Sequence, residues 1–83
     1  MNKLEAYLLG KAKAKEIAND GEFTPEELAN EDAFIWACHE IESNHRQYAG
    51  NITEELKTEA QWDRFDEGFR IQIEREARKR IKA

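Results

Sequence analysis

The chain has no valine, a single cysteine and a single proline among its 83 residues. Leu, Ile and Phe together number only 16, which is close to the lower limit for a self-sufficient hydrophobic core. One cysteine excludes an intramolecular disulfide and fits a reducing, cytoplasmic setting. No apolar run approaches the roughly 18 residues that a transmembrane helix requires. These absences predict a single domain over residues 1–83, without a disulfide framework or a membrane span.

Helix-forming residues dominate what is present. Ala, Glu, Lys, Leu and Arg account for 43 of the 83 residues, a composition typical of helical bundles and coiled coils. The sequence therefore predicts an all-α fold, a small bundle of three main helices of which one or two are kinked or split. Because a chain of this size has few bulky aliphatic side chains to bury, we also expect a homodimer that shares the core between two copies.

Local signals place the first two helices. The first is predicted over residues 3–19, and the second from residue 25 to about residue 49. Thr24 suits the N-cap of the second helix, and Pro25 suits its first helical position. Two apolar residues lie off the main apolar stripe of this second helix, which favours a break near residues 30–32.

The third helix is predicted to begin behind an N-cap at Asn51 or Thr53 and to continue without interruption to the end of the chain. Off-stripe residues in its first half allow a bend near residues 61–62. Gly68 lies in mid-helix, where glycine costs about 1 kcal/mol relative to alanine, and so predicts a close neighbour or a slight kink. The core-facing residues of this helix recur at helical spacing: Trp62, Phe65, Phe69, Ile73 and Ala77.

Charge is segregated along the chain. Between Glu16 and Glu42 there are nine acidic residues and no lysine or arginine, whereas basic residues concentrate at the two ends. We expect this acidic segment to dock on a basic or nucleic-acid-binding protein, steered by long-range charge and in the sharpest version imitating DNA phosphates. The alternative is a solvated surface whose acids complement helix dipoles. The predicted partner-binding residues combine acids with one tryptophan: Glu22, Glu26, Glu27, Glu31, Asp32, Trp36 and Glu40.

Trp36 cannot share a core face with its apolar neighbours. On an ideal helix it lies roughly 140–160° from Phe34 and Ile41. Either Trp36 belongs to a dimer or partner interface, where tryptophan is a favoured anchor, or the helix is buried on two sides. The sequence leaves both interpretations open.

A metal site is a weaker hypothesis. Cys38, Glu42 and His45 share one helical face, and Glu42 and His45 form a Glu-x-x-His pair of the kind used in di-metal bundles. Such sites need two of these pairs, so a second copy would have to supply the other. The alternative is a helix-edge glutamate beside a partly buried histidine. We expect Cys38 to be buried and unreactive, and we predict no cofactor.

Two further patterns suggest binding of nucleotides or nucleic acids. Tyr7 and Lys11 are neighbours on the first helix, and Gly10 leaves backbone bare between them for a nucleotide, although apolar packing of Tyr7 is the simpler interpretation. A basic stripe on the last helix suits phosphates, but the net charge of −5 argues against general nucleic-acid binding. The residues of that stripe are Arg75, Arg78, Lys79 and Lys82.

The chain contains no glycine-rich phosphate loop and no nucleophile motif, so we predict that it is not an enzyme. The leading hypothesis is a small acidic interaction protein that binds and modulates or inhibits a macromolecular partner by occlusion. Its size and acidity are compatible with a phage or mobile-element accessory protein. The alternatives are a metal or nucleotide site at a helix–helix or dimer interface, and nucleic-acid binding through the basic C-terminal helix.

Overall fold

A computed structural model describes residues 2–48, 56 and 58–81 of the chain. All regular secondary structure within these residues is helical, which confirms the predicted all-α bundle with three main helices. None of these helices is both long enough and apolar enough to cross a bilayer. The four helices follow in order: α1 (Lys3–Asp20), α2 (Pro25–Ala29), α3 (Glu31–Tyr48) and α4 (Glu59–Ile81).

The predicted break within the second helix is confirmed at Asn30, where α2 ends and α3 follows. This residue has an extended backbone between α2 and α3. Its side-chain oxygen accepts a hydrogen bond of 3.1 Å from the amide of Ala33, so that Asn30 caps the new helix. Thr24 caps α2 as predicted, in a reciprocal hydrogen-bonded pair with Glu27.

The prediction of a last helix that runs without interruption is wrong at Leu56. This residue lies outside any helix, and α4 begins at Glu59. Thr58 and Gln61 exchange backbone-to-side-chain hydrogen bonds of 3.2 Å, a capping box that starts the helix here. Leu56 is buried against Ala6 and Phe65. The proposed caps at residues 51 and 53 lie outside the described residues.

Helices α1 and α4 run parallel and touch through their backbones. Gly68 faces the carbonyl of Tyr7, and Gly10 faces the carbonyl of Phe65, so that a methyl group at either glycine would overlap a carbonyl oxygen. Farther along, Asn19 of α1 meets Arg80 of α4. The prediction that Gly68 has a close neighbour is confirmed.

Helix α3 runs antiparallel to α4. Near the start of α3, Glu31 pairs with Arg78 near the end of α4, and farther along α3 the ring centroid of His39 lies 5.2 Å from that of Phe69. Phe23, in the loop before α2, packs its ring 4.6 Å from that of Phe34. The main core is formed where α1, α3 and α4 meet, and its fully or nearly fully buried members come from all three: Ala14, Ile17, Ala18, Phe34, Cys38, Phe69, Ile73 and Ala77.

Candidate docking surface

The outer face of α3 presents a tryptophan to solvent. Phe34 and Cys38 point into the core and are fully buried, whereas Trp36 is 68% exposed. A separation of two residues on a helix rotates the side chain by roughly 200°, so Trp36 points directly away from the core. The interpretation in which α3 is buried on two sides is therefore wrong for the described structure. An exposed indole of this kind is typical of an interface anchor.

Two carboxylates flank Trp36. Asp32 lies one turn before it and Glu40 one turn after it, and both are exposed. Neither forms an ion pair within the described part of the chain. We call Asp32, Trp36 and Glu40 the docking face. It is an apolar centre between two exposed carboxylates on one helix.

The other predicted docking acids are divided by the fold. Glu22 and Glu26 are exposed in the segment that leads into and begins α2. Glu27 is half-buried, and its carboxylate accepts a 2.8 Å hydrogen bond from the amide of Thr24. Glu31 points toward α4 and lies 3.7 Å from Arg78. Glu27 and Glu31 thus have partners within the fold. Glu22 and Glu26 are exposed and add negative charge to the surface.

A second surface lies where the start of α3 meets the end of α4. We call it the basic groove. It is an open depression of about 630 Å³, and Ile81 provides apolar surface within it. Its charged lining residues are mainly cationic: Arg75, Arg78 and Lys79, with Glu31 at one edge. Lys82, the fourth residue of the predicted basic stripe, lies outside the described residues.

A buried polar cluster fixes the end of α4. Glu76 is only 4% exposed, and its carboxylate lies 3.2 Å from Arg80 Nη1 and 3.4 Å from Lys79 Nζ. Gln72 donates to the same carboxylate at 3.4 Å. Arg80 in turn donates through Nη2 to Asn19 Oδ1 at 2.6 Å, which ties α4 to the last turn of α1.

Burial alone would raise the pKa of Glu76. The hydrogen bonds from Arg80 and Lys79, together with the positive charges of both side chains, outweigh that effect and hold the pKa of Glu76 below its ordinary value. Glu76 is therefore a charged, satisfied group in the native protein. Because Lys79 pairs with Glu76 and Arg78 pairs with Glu31, Arg75 is the groove cation that forms no ion pair among the described residues.

Helical spacing in the sequence indicates this cluster, although no prediction above includes it. Gln72 and Glu76 follow Phe69 and Ile73 by three residues each, and so lie toward the core face of α4. Glu76 also precedes Arg80 by four residues, the spacing of a helical ion pair. Together these spacings indicate a buried glutamate that has its own cation.

The metal-binding hypothesis gains no geometric support. Cys38 is fully buried and Glu42 is nearly so, while the side chain of His45 lies outside the described part of the chain. Within the described residues, no three His, Cys, Asp or Glu side chains come close enough together to hold a metal ion. Burial raises the pKa of the Cys38 thiol to about 12, with a smaller rise from Glu27 and an opposing effect from Arg80. The expectation of a buried, unactivated thiol is confirmed.

The nucleotide hypothesis is weakened by the packing of α1. The backbone at Gly10, expected to be bare, is covered by the carbonyl of Phe65 on α4. Lys11 Nζ lies 5.7 Å from the centroid of the Tyr7 ring, a cation–π contact that occupies both side chains. The close approach of α1 and α4 therefore covers the backbone at Gly10.

Comparison with protein-family models, curated proteins and solved structures finds no match to this chain. A function for the protein therefore has to follow from its own surfaces, of which the docking face and the basic groove are the two with distinctive chemistry.

Proposed function

We propose that this chain is a small acidic, non-enzymatic interaction protein that binds a basic protein surface through its docking face and inhibits or modulates that partner by covering it. The observation that carries the proposal is Trp36, 68% exposed and flanked on the same helix face by two exposed carboxylates. Leaving a large indole in water forgoes its burial energy, which an interface would recover.

The chemistry of the docking face specifies the partner. The indole of Trp36 would fill an apolar notch and supply most of the affinity, as interface tryptophans commonly do. Asp32 and Glu40 would meet lysine or arginine side chains at the rim of that notch. Opposite charges at the rim accelerate association and make it sensitive to salt. Glu22 and Glu26 extend the same negative field, which disfavours nucleic acid as the direct ligand of this face.

Nucleic-acid binding through the basic groove is a weaker candidate. Lys79 is held by Glu76, and Glu31 introduces a negative charge at the groove edge. Two arginines, Arg75 and Arg78, of which Arg78 already pairs with Glu31, are few for a phosphate-tracking surface on a chain of net charge −5.

The experiment begins with cross-linking capture from cells of the source organism, and each captured protein is then purified and titrated by calorimetry. Two docking-face variants are compared with the wild type: Trp36→Ala and the pair Asp32→Lys/Glu40→Lys. The matched control is Glu59→Lys/Asp63→Lys, which makes the same charge change at exposed sites on α4.

We expect Trp36→Ala to weaken binding by about 30-fold or more, corresponding to roughly 2 kcal/mol. The charge-reversed pair should abolish binding at low salt, and the control should bind like the wild type. Equal affinity of the docking-face variants and the wild type for every purified partner would refute the proposal.

A further inference from the structure

The docking face and the basic groove are complementary to each other. The first offers an indole between two carboxylates, and the second offers an isoleucine among arginines and a lysine. Both surfaces involve α3, because Glu31 lines the groove and Asp32 is the next residue of that helix. Trp36 follows Glu31 by five residues, about 7.5 Å along the helix axis and roughly 140° around it. One molecule thus carries both halves of an interface, on two different sides of α3.

We propose that the docking face of one copy seats in the basic groove of a second copy, and that two such contacts form a reciprocal dimer. The indole of Trp36 packs against Ile81 and the flat face of an arginine, a favourable cation–π arrangement. Asp32 and Glu40 accept hydrogen bonds from Arg75 and Arg78, whose guanidinium groups suit carboxylates.

A reciprocal dimer is the closed form of this contact. In a two-fold dimer each surface element contacts its complement on the other copy, and the same contact is then made twice. A contact that did not close would instead generate filaments, whose mass would exceed that of two chains.

This inference goes beyond the proposed function because it names an occupant for the docking face when no partner is present. A second copy and the external partner would compete for Trp36. Dissociation of the dimer would then precede inhibition, so that the docking face is covered at high protein concentration and released as the partner captures monomers.

Sedimentation equilibrium of the purified chain tests the dimer directly, at concentrations from about 1 μM to 1 mM. We expect the mass to rise from one chain of 9.7 kDa to two as concentration increases at low salt. High salt should shift the midpoint to at least tenfold higher concentration, since exposed charge pairs are screened. A monomer at every concentration in low salt would overturn the inference.

A charge-swap experiment identifies the surfaces. The variants Asp32→Lys/Glu40→Lys and Arg75→Glu/Arg78→Glu should each be monomeric, because each places like charges across both contacts. Mixed in equal amounts, they should form a heterodimer, since Lys then meets Glu in one contact and the native charges meet in the other. Circular dichroism of each variant checks that the helices are intact, and Glu59→Lys/Asp63→Lys should dimerise like the wild type.

Other outcomes are equally decisive. If both variants still dimerise alone, self-association uses another surface, such as the exposed Leu4 and Leu8 of α1, and the inference is wrong. If the mixture stays monomeric while its components are folded, the contact between docking face and basic groove is wrong. Inorganic phosphate or a short DNA duplex that dissociates the wild-type dimer at constant ionic strength would show that the groove prefers phosphate over the docking face.

The dimer and the proposed function are tested independently of each other. Arg75→Glu/Arg78→Glu keeps the docking face and should still capture the external partner although it no longer dimerises. Loss of dimerisation with capture retained leaves the proposed function standing. A wild-type dimer that responds to the charge swap, together with no partner dependent on Trp36, would overturn the proposed function alone.

Discussion

Glu76 and Asp32 are both acidic residues on helices of this chain, yet the fold uses them in opposite ways. Glu76 is buried and pairs with Lys79, Arg80 and Gln72 of the same helix. Arg80 also bonds Asn19, so the charge of Glu76 helps to position the contact between α4 and α1. Asp32 faces solvent without an ion pair within the described residues. Helical spacing from the apolar stripe is sufficient to tell the two apart, whereas the Asn19 partner of Arg80 depends on a long-range contact that spacing does not reveal.

Replacing Glu76 with Gln should lower the free energy of unfolding by about 2 kcal/mol at pH 7, the value of a hydrogen bond to a charged group. The folded-state pKa of Glu76 is lowered from its ordinary value near 4.5, so its contribution is present above that pH. The contribution is lost as pH falls through the lowered folded-state pKa. Urea denaturation of both proteins at pH 7 and pH 3 measures the difference, which should shrink markedly at pH 3. An unchanged difference would contradict the assignment.

Cys38 should be nearly inert in the native protein. A pKa of about 12 leaves roughly 1,000-fold less thiolate at pH 8 than an ordinary cysteine has, and the fully buried sulfur is inaccessible as well. The rate of reaction with a disulfide reagent measures this, with the protein in concentrated guanidinium as the control. Rapid reaction without denaturant would show that Cys38 is reachable from solvent.

At the scale of helices, small residues set how closely α1 and α4 approach. Mid-helix Gly68 predicted a close neighbour or a slight kink, and the structure shows the close neighbour. Ala6, Gly10 and Ala14 recur every four residues on α1 and are all buried, a stripe that also indicates close packing once it is noticed. The identity and direction of the helix that meets this stripe depend on tertiary packing, which spacing along one helix does not specify.

Gly68→Ala should destabilise the protein even though alanine is the better helix former. Intrinsic propensity alone predicts a gain of about 1 kcal/mol. The new methyl group would instead overlap the carbonyl of Tyr7 and force two backbones apart, for a net loss of about 2 kcal/mol. Thermal unfolding followed by circular dichroism gives the sign directly, and a higher melting temperature would contradict the close contact.

Helix starts are predictable where the capping-box spacing is complete. Thr24 is followed three residues later by Glu27, and the start of α2 was located correctly. Thr58 is followed at the same spacing by Gln61, and this pair caps α4. Thr53 has Leu56 at that spacing instead, so the sequence itself favours a start at Thr58.

At the scale of the whole molecule, the charge pattern predicts an acidic segment but not which of its side chains share an exposed face. The acidic segment contains all seven predicted partner-binding residues. Folding places only Asp32, Trp36 and Glu40 on one exposed helix face, because Glu27 occupies a cap and Glu31 reaches α4. Burial of Phe34 on the opposite side of α3 is what turns Trp36 outward. A helical wheel alone left that choice open.

Trp36 is exposed to water in the monomer, and we propose that it becomes covered when the protein binds. A Trp62→Phe variant leaves Trp36 as the only tryptophan, so its fluorescence reports on that side chain alone. We expect emission typical of a water-exposed indole in dilute protein at high salt, and a shift to shorter wavelength as partner is added. Emission already typical of a buried indole in the dilute monomer, or no shift at saturating partner, would contradict this proposal.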